Sequence, residues 1–174
     1  DLVRQKVICR IWSHDHTVWQ PDPAEITNRL GWLHIVENMT DKVARLEEFT
    51  RRAVADGFTH ALLLGMRCSS LAPELFQKTL GRASRPAGAP YPYLELVVLD
   101  TTDADAVRAA ESALDLTKTL VIVATKSGGT VETLSAFKYF HNRLLERVGP
   151  DTVGGHFVGI TDPAVYAKAA QQGT

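Results

Sequence analysis

The chain has 174 residues, 45% of them apolar, with 19 basic and 20 acidic side chains spread along its length for a net charge of −1. That size fits one domain, or one domain with an arm, and the even balance of charge argues against nucleic acid or an anionic membrane surface as a partner. Two cysteines, Cys9 and Cys68, are too few for a disulfide scaffold; with no signal peptide and no run of about 18 apolar residues, the sequence reads as soluble, reduced and cytoplasmic.

Residues 1–38 read as an arm. Val7 to Trp12 alternates weakly, which predicts an edge strand. Ser13 to Pro23 is polar. Ala24 to Leu33 predicts a short helix, with Asp22 as its cap and Pro23 at its first position. Trp12, Trp19 and Trp32 all fall in this arm and are expected to pack it onto a larger body.

Residues 39–174 are more regular and read as the main domain. Asp41 to Asp56 has Val43, Leu46, Phe49 and Val54 at helical spacing, and Gly57 ends it. Then come a strand over Thr59–Gly65, a helix over Leu71–Leu80 with Pro73 in its first turn, and a Pro/Gly-rich loop over Gly81–Pro92. A strand over Tyr93–Leu99 and a helix over Asp103–Leu114 follow. Thr119–Ala124 is a strand, Val131–Arg147 a long helix, His156–Ile160 a strand and Pro163–Gln171 a helix. Because the chain starts at Asp1 and stops at Thr174 just as that helix is under way, it reads as a piece of a longer protein.

Strands alternating with helices predict an α/β fold, a mostly parallel sheet with helices on both faces. The loops Met66–Ser70, Asp100–Asp103, Thr125–Thr130 and Thr161–Pro163 then gather at one sheet edge, where such folds bind ligands.

Two of these loops carry candidate chemistry. Leu120 to Ala124 is a buried-strand run that ends at Thr125, Lys126, Ser127, Gly128, Gly129 and Thr130 before a helix begins. Hydroxyls, glycines and a helix N-terminus in that order suit a phosphate: glycines let backbone N–H groups come close, hydroxyls add donors, and the helix end adds partial positive charge. Gly65 to Leu71 repeats the pattern with Ser69 and Ser70 at a helix start, where plain capping is the alternative. Neither loop has the glycine and lysine spacing of a nucleotide-binding loop. Lys126 is either a phosphate partner or a solvated lysine. Glu132 complements the helix dipole. Cys68 has no histidine close in sequence to act as its base, and His34, His60, His141 and His156 carry no pattern. His14, Asp15 and His16 are spaced like ligands on a strand, with Cys9 nearby, but lack a well-spaced third ligand, so a hydrogen-bonded arm is the favoured reading over a metal site.

Thr125-Lys126-Ser127-Gly128-Gly129-Thr130-x-Glu132-Thr133 resembles the Ser-Lys-Ser-Gly-Thr-Thr-x-Glu-Thr phosphate loop of glucose-6-phosphate isomerases. Gly65-Met66-Arg67-Cys68-Ser69-Ser70-Leu71-x-Pro73 resembles their Gly-x-Gly-Gly-Ser-Ser/Asp-Leu-x-Pro loop. The arm, from Asp15-His16-Thr17-Val18-Trp19 through Leu30-Gly31-Trp32-Leu33, is similar to the segment joining the two parts of bifunctional transaldolase/glucose-6-phosphate isomerases. The resemblance implies a sugar isomerase (SIS) domain, a three-layer αβα sandwich that binds a sugar phosphate. It implies a parent enzyme interconverting glucose 6-phosphate and fructose 6-phosphate through an enediol, with no metal and no cofactor. By the family pattern Ser69, Thr125, Ser127 and Thr130 match the phosphate-binding hydroxyls, with Ser70, Lys126, Gly128 and Gly129 in the same loops. Arg67 and Cys68 stand where the family has two glycines, and Gly129 where it has threonine; Arg67 is expected to block space that the sugar would fill. The family's catalytic residues match no position of this chain. The implied partner is a second SIS domain of the same protein, and the exposed faces that should meet it are expected to make this chain sticky or a homodimer. The alternatives are an SIS-type sensor that reads a sugar phosphate without catalysis and a scaffold that has lost its ligand.

Overall fold

The structure is a computed structural model that describes residues 2–80, 93–162 and 165. The expected Gly81–Pro92 loop lies outside these residues, as does the expected Pro163–Gln171 helix apart from Val165. The chain divides into two compact units, Asp1–Glu48 and Phe49–Thr174.

The first unit is helical. Val7–Trp12 is α-helix (α1), not the expected edge strand. No strand among the unit's described residues is present to pair with it, so its backbone groups bond locally, as in Arg10 N to Lys6 O and Ser13 N to Cys9 O. Asp22 does accept a bond from the Ala24 amide at 2.9 Å. The expected Ala24–Leu33 helix nevertheless begins later, as a 3-10 stretch over Thr27–His34, because Glu25 takes a positive φ of 59°. A short helix, Ile35–Thr40 (α2), follows. Leu30 and Leu33 are buried, whereas Trp12, Trp19 and Trp32 stay 52%, 47% and 61% exposed. The helix Val43–Ala55 (α3) contains the division between the units.

The second unit is built on four parallel strands: His60–Gly65 (β1), Glu95–Leu99 (β2), Thr119–Ala124 (β3) and Phe157–Ile160 (β4), in the order β2-β1-β3-β4. Between them lie Cys68–Leu80 (α4), Ala104–Ala113 (α5), Val131–Val148 (α6) and Pro150–Val153 (α7). β1 is central and apolar on both sides, buried from Ala61 to Gly65. One face, with Leu62, Leu64, Leu99 and Val121, packs against Leu114 and Leu116 and against Ala136, Phe140 and Leu144 of α6. Right-handed crossovers put α4 on the other face, because β1 leads outward to β2 while β2 and β3 lead the opposite way. The result is a helix–sheet–helix sandwich. None of the described helices is long and apolar enough to cross a membrane.

Local chemistry sets the helix ends. Asp103 caps α5 by accepting from the Asp105 and Ala106 amides at 3.0 and 2.9 Å. Gly149, at φ 79°, stops α6. α4 starts at Cys68, three residues before the expected Leu71, so Pro73 lies in its second turn. His156 is buried, with Nδ1 3.2 Å from the Thr119 carbonyl and the ring edge-on to Phe58.

Glu111 ties α5 to α6. Its carboxylate accepts from the Tyr139 hydroxyl, from Arg143 at 2.8 Å and from Arg147 at 3.0 Å. The Tyr139 bond first, then Arg143 and Arg147, hold this carboxyl below its ordinary value of 4.5, against the opposing cost of burial. A depressed carboxyl stabilises the fold fully above its unfolded value and loses that contribution as pH falls through the lower folded value. Glu111→Gln is therefore expected to cost about 1–2 kcal/mol at pH 7. In urea unfolding the deficit should shrink as pH falls below the ordinary carboxyl value of 4.5 and on through the lower native one.

Candidate functional site

The two hydroxyl-bearing loops leave neighbouring strands. Gly65 of β1 is in register with Ala124 of β3, so the loops begin about 5 Å apart. β1 sends its chain to α4 on one face and β3 to α6 on the other, which opens a crevice at the reversal of strand order.

The β1–α4 loop is tight. The amides of Ser69 and Ser70 bond back to the Met66 and Arg67 carbonyls, both at 3.1 Å. A Cβ on Gly65 would lie 3.2 Å from Ser69 Cβ, so the strand end and the first turn of α4 fit closely. Ser70 is fully buried and its hydroxyl donates to the Arg67 carbonyl at 2.9 Å, with Asp100 Oδ2 at 3.5 Å. Its one proton is therefore used inside the loop. Ser69 is half-buried, and its hydroxyl has no partner among the described residues. Arg67 and Cys68 are exposed. Arg67 has φ 51°, in the left-handed region that favours glycine, at a backbone cost of about 1–2 kcal/mol.

The β3–α6 loop holds donors in reserve. Thr125, buried, and Thr130 share a hydroxyl–hydroxyl bond of 3.0 Å, which uses one of their two protons. Thr130 sits at the N-cap of α6 without making a capping bond, and the first helical bond is from the Leu134 amide to its carbonyl. The amides of Val131, Glu132 and Thr133 thus have no carbonyl one turn back. Ser127 Oγ accepts from the Gly129 amide at 3.2 Å and keeps its own proton. Lys126 and Glu132 are exposed. Thr133 is buried with an unpartnered hydroxyl, on the side of α6 that carries Ala136 and Phe140. The free hydroxyls, the uncapped helix end and the lysine form an edge suited to one anion.

Residues the sequence did not single out brace this loop. The Thr125 amide bonds to the Ile160 carbonyl at 3.0 Å, and the Lys126 carbonyl accepts from Thr161 Oγ1 and the Asp162 amide, both at 3.4 Å. Val165 lies against Gly128. Asp100, which follows β2, brings its Oδ2 to 3.5 Å from Ser70 Oγ, so a carboxylate lies against the β1–α4 loop and disfavours an anion beside it. Strand-end position was the only signal for Asp100, Thr161 and Asp162.

The arm histidines go separate ways. His14 Nε2 meets His34 Nε2 at 3.1 Å, His16 Nε2 meets the Pro21 carbonyl at 3.1 Å, and Asp15 pairs with Arg10 and Thr17. Among the described residues no three His, Cys, Asp or Glu side chains are grouped to hold a metal ion. A separate cavity of about 310 Å³ lies between α5 and α6, lined by Thr102, Val107, Arg108, Ser135 and Tyr139 and by no residue of the β1–α4 or β3–α6 loop.

The two loop glycines differ in what they tolerate. Gly128 has φ 67°, and a Cβ there would lie 2.5 Å from Val165 Cγ1; Gly129 has open space around it. Gly128→Ala is expected to cost about 1–3 kcal/mol in thermal unfolding, and Gly129→Ala less than about 1 kcal/mol.

Residues 30–171 match the family profile described as phosphoglucose isomerase. The chain is 30% identical over 149 residues to a probable glucose-6-phosphate isomerase of Methanococcus maripaludis, covering 85% of this chain and 32% of that one. It is 32% identical over 136 residues to the glucose-6-phosphate isomerase of Citrifermentans bemidjiense, covering 72% and 23%. The chain thus spans about a third or less of the curated relatives it matches. In fold it is similar to a hypothetical protein of Thermus thermophilus, with TM-score 0.69, 23% identity, 98% of this chain and 37% of that one. It is also similar to a glucose-6-phosphate isomerase of Chlamydia trachomatis, with TM-score 0.60, 24% identity, 90% and 27%.

Proposed function

The chain belongs to the phosphoglucose isomerase family, and on that premise we propose that it is the phosphosugar-binding domain of an isomerase that interconverts glucose 6-phosphate and fructose 6-phosphate. The observation that carries the reading is the pair of strand-to-helix loops flanking the β1/β3 crevice, with hydroxyl protons and α6 amides left over for an anion. Ser69, Ser127 and the Thr125–Thr130 pair donate to the phosphate, with the loop amides of Lys126 to Thr130 close by. Ser70 shapes the loop from below.

The domain anchors the phosphate, and the chemistry belongs elsewhere in the parent. Moving a proton between C1 and C2 through an enediol needs a base beside those carbons and an acid for ring opening. Near the loops this chain offers Glu132 and Cys68, and Glu132 adjoins the phosphate end, several bonds from the reacting carbons. The catalytic groups therefore come from a second SIS domain of the same protein, and the active assembly is a homodimer in the cytoplasm. Leu71, Leu75, Phe76 and Leu80, exposed on α4, support burial against further parts of that assembly. The two free cysteines support a reducing setting. The likeness of the arm to a joining segment supports a transaldolase part in the parent.

Calorimetry of the 174-residue chain with fructose 6-phosphate tests the anchor. Thr130→Ala is expected to weaken binding about 10-fold or more, the worth of one hydrogen bond to a charged group. A coupled assay tests the division of labour, with turnover expected below about 1 s⁻¹, the low end of ordinary enzyme rates. Faster turnover that is abolished when Ser69 and Thr130 are both changed to alanine would refute it.

A further inference from the structure

We propose that α4 is the surface on which two copies of this chain join, its outer apolar face packing antiparallel against the same face of the second copy. The inference rests on the homodimer reading above and assigns that dimer its contact surface.

Three observations lead to it. First, α4 turns large apolar side chains away from its own sheet. Leu71, Leu75, Phe76 and Leu80 are 66%, 55%, 60% and 62% exposed, while Ser70, on the opposite side of the helix, is fully buried. Second, the helix is held against rolling to hide them. Gln77 Nε2 donates to the Leu96 carbonyl of β2, and Ser69 packs closely on Gly65 at the end of β1. Third, the apolar row is symmetric about its own middle. Leu71 and Leu80 lie equally far from the point between Leu75 and Phe76, and so do Ala72 and Thr79.

The third observation selects the occupant. At a two-fold contact, residue i of one copy meets residue j of the other, and j meets i. A helix whose apolar row reads alike from either end therefore meets apolar side chains along its whole length when its copy runs antiparallel. The axis then passes beside Leu75 and Phe76, which pack on their own counterparts. The charges agree with that direction. Glu74 and Lys78 form an i,i+4 pair along one flank of the row. An antiparallel copy sets each beside its opposite across the seam, whereas a parallel copy sets like beside like. A net charge of −1 per chain adds little repulsion between copies. The 13 residues of α4 span about 20 Å, enough for the apolar centre of an interface of about 800 Å² per partner. α4 and α6 lie on opposite faces of the sheet, so joining through α4 leaves the α6 end open.

The test is sedimentation analysis of the 174-residue chain at about 50 μM, where a specific interface of ordinary affinity is filled. The unaltered chain is expected to be a dimer. Leu75→Lys and Phe76→Lys should each weaken association about 100-fold or more and leave monomer, because each change counts twice at a two-fold contact. Far-UV circular dichroism should be unchanged in both. A pair of cysteine variants checks the direction of packing and serves if a lysine variant misfolds. With Cys9→Ser and Cys68→Ser in place, Leu75→Cys should form an intermolecular disulfide on mild oxidation and Leu71→Cys should not. Only the middle of an antiparallel pair brings a residue within disulfide reach of its own copy. A monomeric unaltered chain would overturn this proposal and the homodimer reading together. A dimer that withstands both lysine variants, or that cross-links no better through Leu75→Cys than through Leu71→Cys, overturns the α4 contact and leaves the homodimer reading standing.

Discussion

The pairing of Gly65 with Ala124 is the constraint on which the site depends. Those two residues end adjacent parallel strands whose chains then part to opposite faces. The loops attached to them, which carry Ser69 and Thr130, therefore leave from neighbouring strand ends however far apart they lie in sequence. The register is fixed below by apolar side chains, since Leu62 and Leu64 must face α6 with Val121. A slip of one residue would exchange the two faces of β1 and separate the loops. The core thus serves the site by setting strand ends, and the loops need only local bonds to finish the geometry.

The parallel sheet was legible because its strands are short, apolar runs broken by polar loops, and β3 was read to the residue at Thr119–Ala124. Helix starts were less legible. Asp103 announces α5 by its carboxylate cap, whereas α4 begins without such a residue at Cys68, and Pro73 drew the expected start downstream. The arm was least legible. Val7, Ile8, Ile11 and Trp12 fit a helical face as well as a strand, and the deciding fact, the want of a partner strand among the described residues of that unit, is not local. At the site, the residue types and order were visible in the loops. The bracing by Thr161, Asp162 and Val165 was not, because it arises from β4 lying beside β3. Nor does sequence reveal that Ser70 uses its proton on Arg67 while Ser69 does not.

Positive φ separates the roles of the loop residues. Gly128 needs glycine twice over, for its backbone angle and for the side chain of Val165. Arg67 holds a similar backbone angle with a side chain attached. Strain of this kind persists only where surrounding bonds over-determine it. Here the Ser70 and Leu71 amides and the Ser70 hydroxyl all converge on the Arg67 carbonyl. The buried hydroxyl of Ser70 is therefore one of three donors that hold the Arg67 peptide in place.

The distribution of unused donors follows the same logic. At three other places in the second unit polar groups are closed on themselves: Asp103 caps α5, Glu111 gathers three donors, and His156 meets a carbonyl. At the start of α6 the economy is reversed. The helix lacks a side-chain cap, the Thr125–Thr130 pair keeps one proton over, and Thr133 is buried with its hydroxyl unpartnered. Each omission costs stability, about 1 kcal/mol for a missing cap and about 1–3 kcal/mol for a buried unmatched hydroxyl. A cap at Thr130 would remove one of these costs by occupying an amide that an anion would need. The end of α6 is thus less stable than local chemistry allows and more receptive to negative charge, and the apolar faces of the sheet carry the difference.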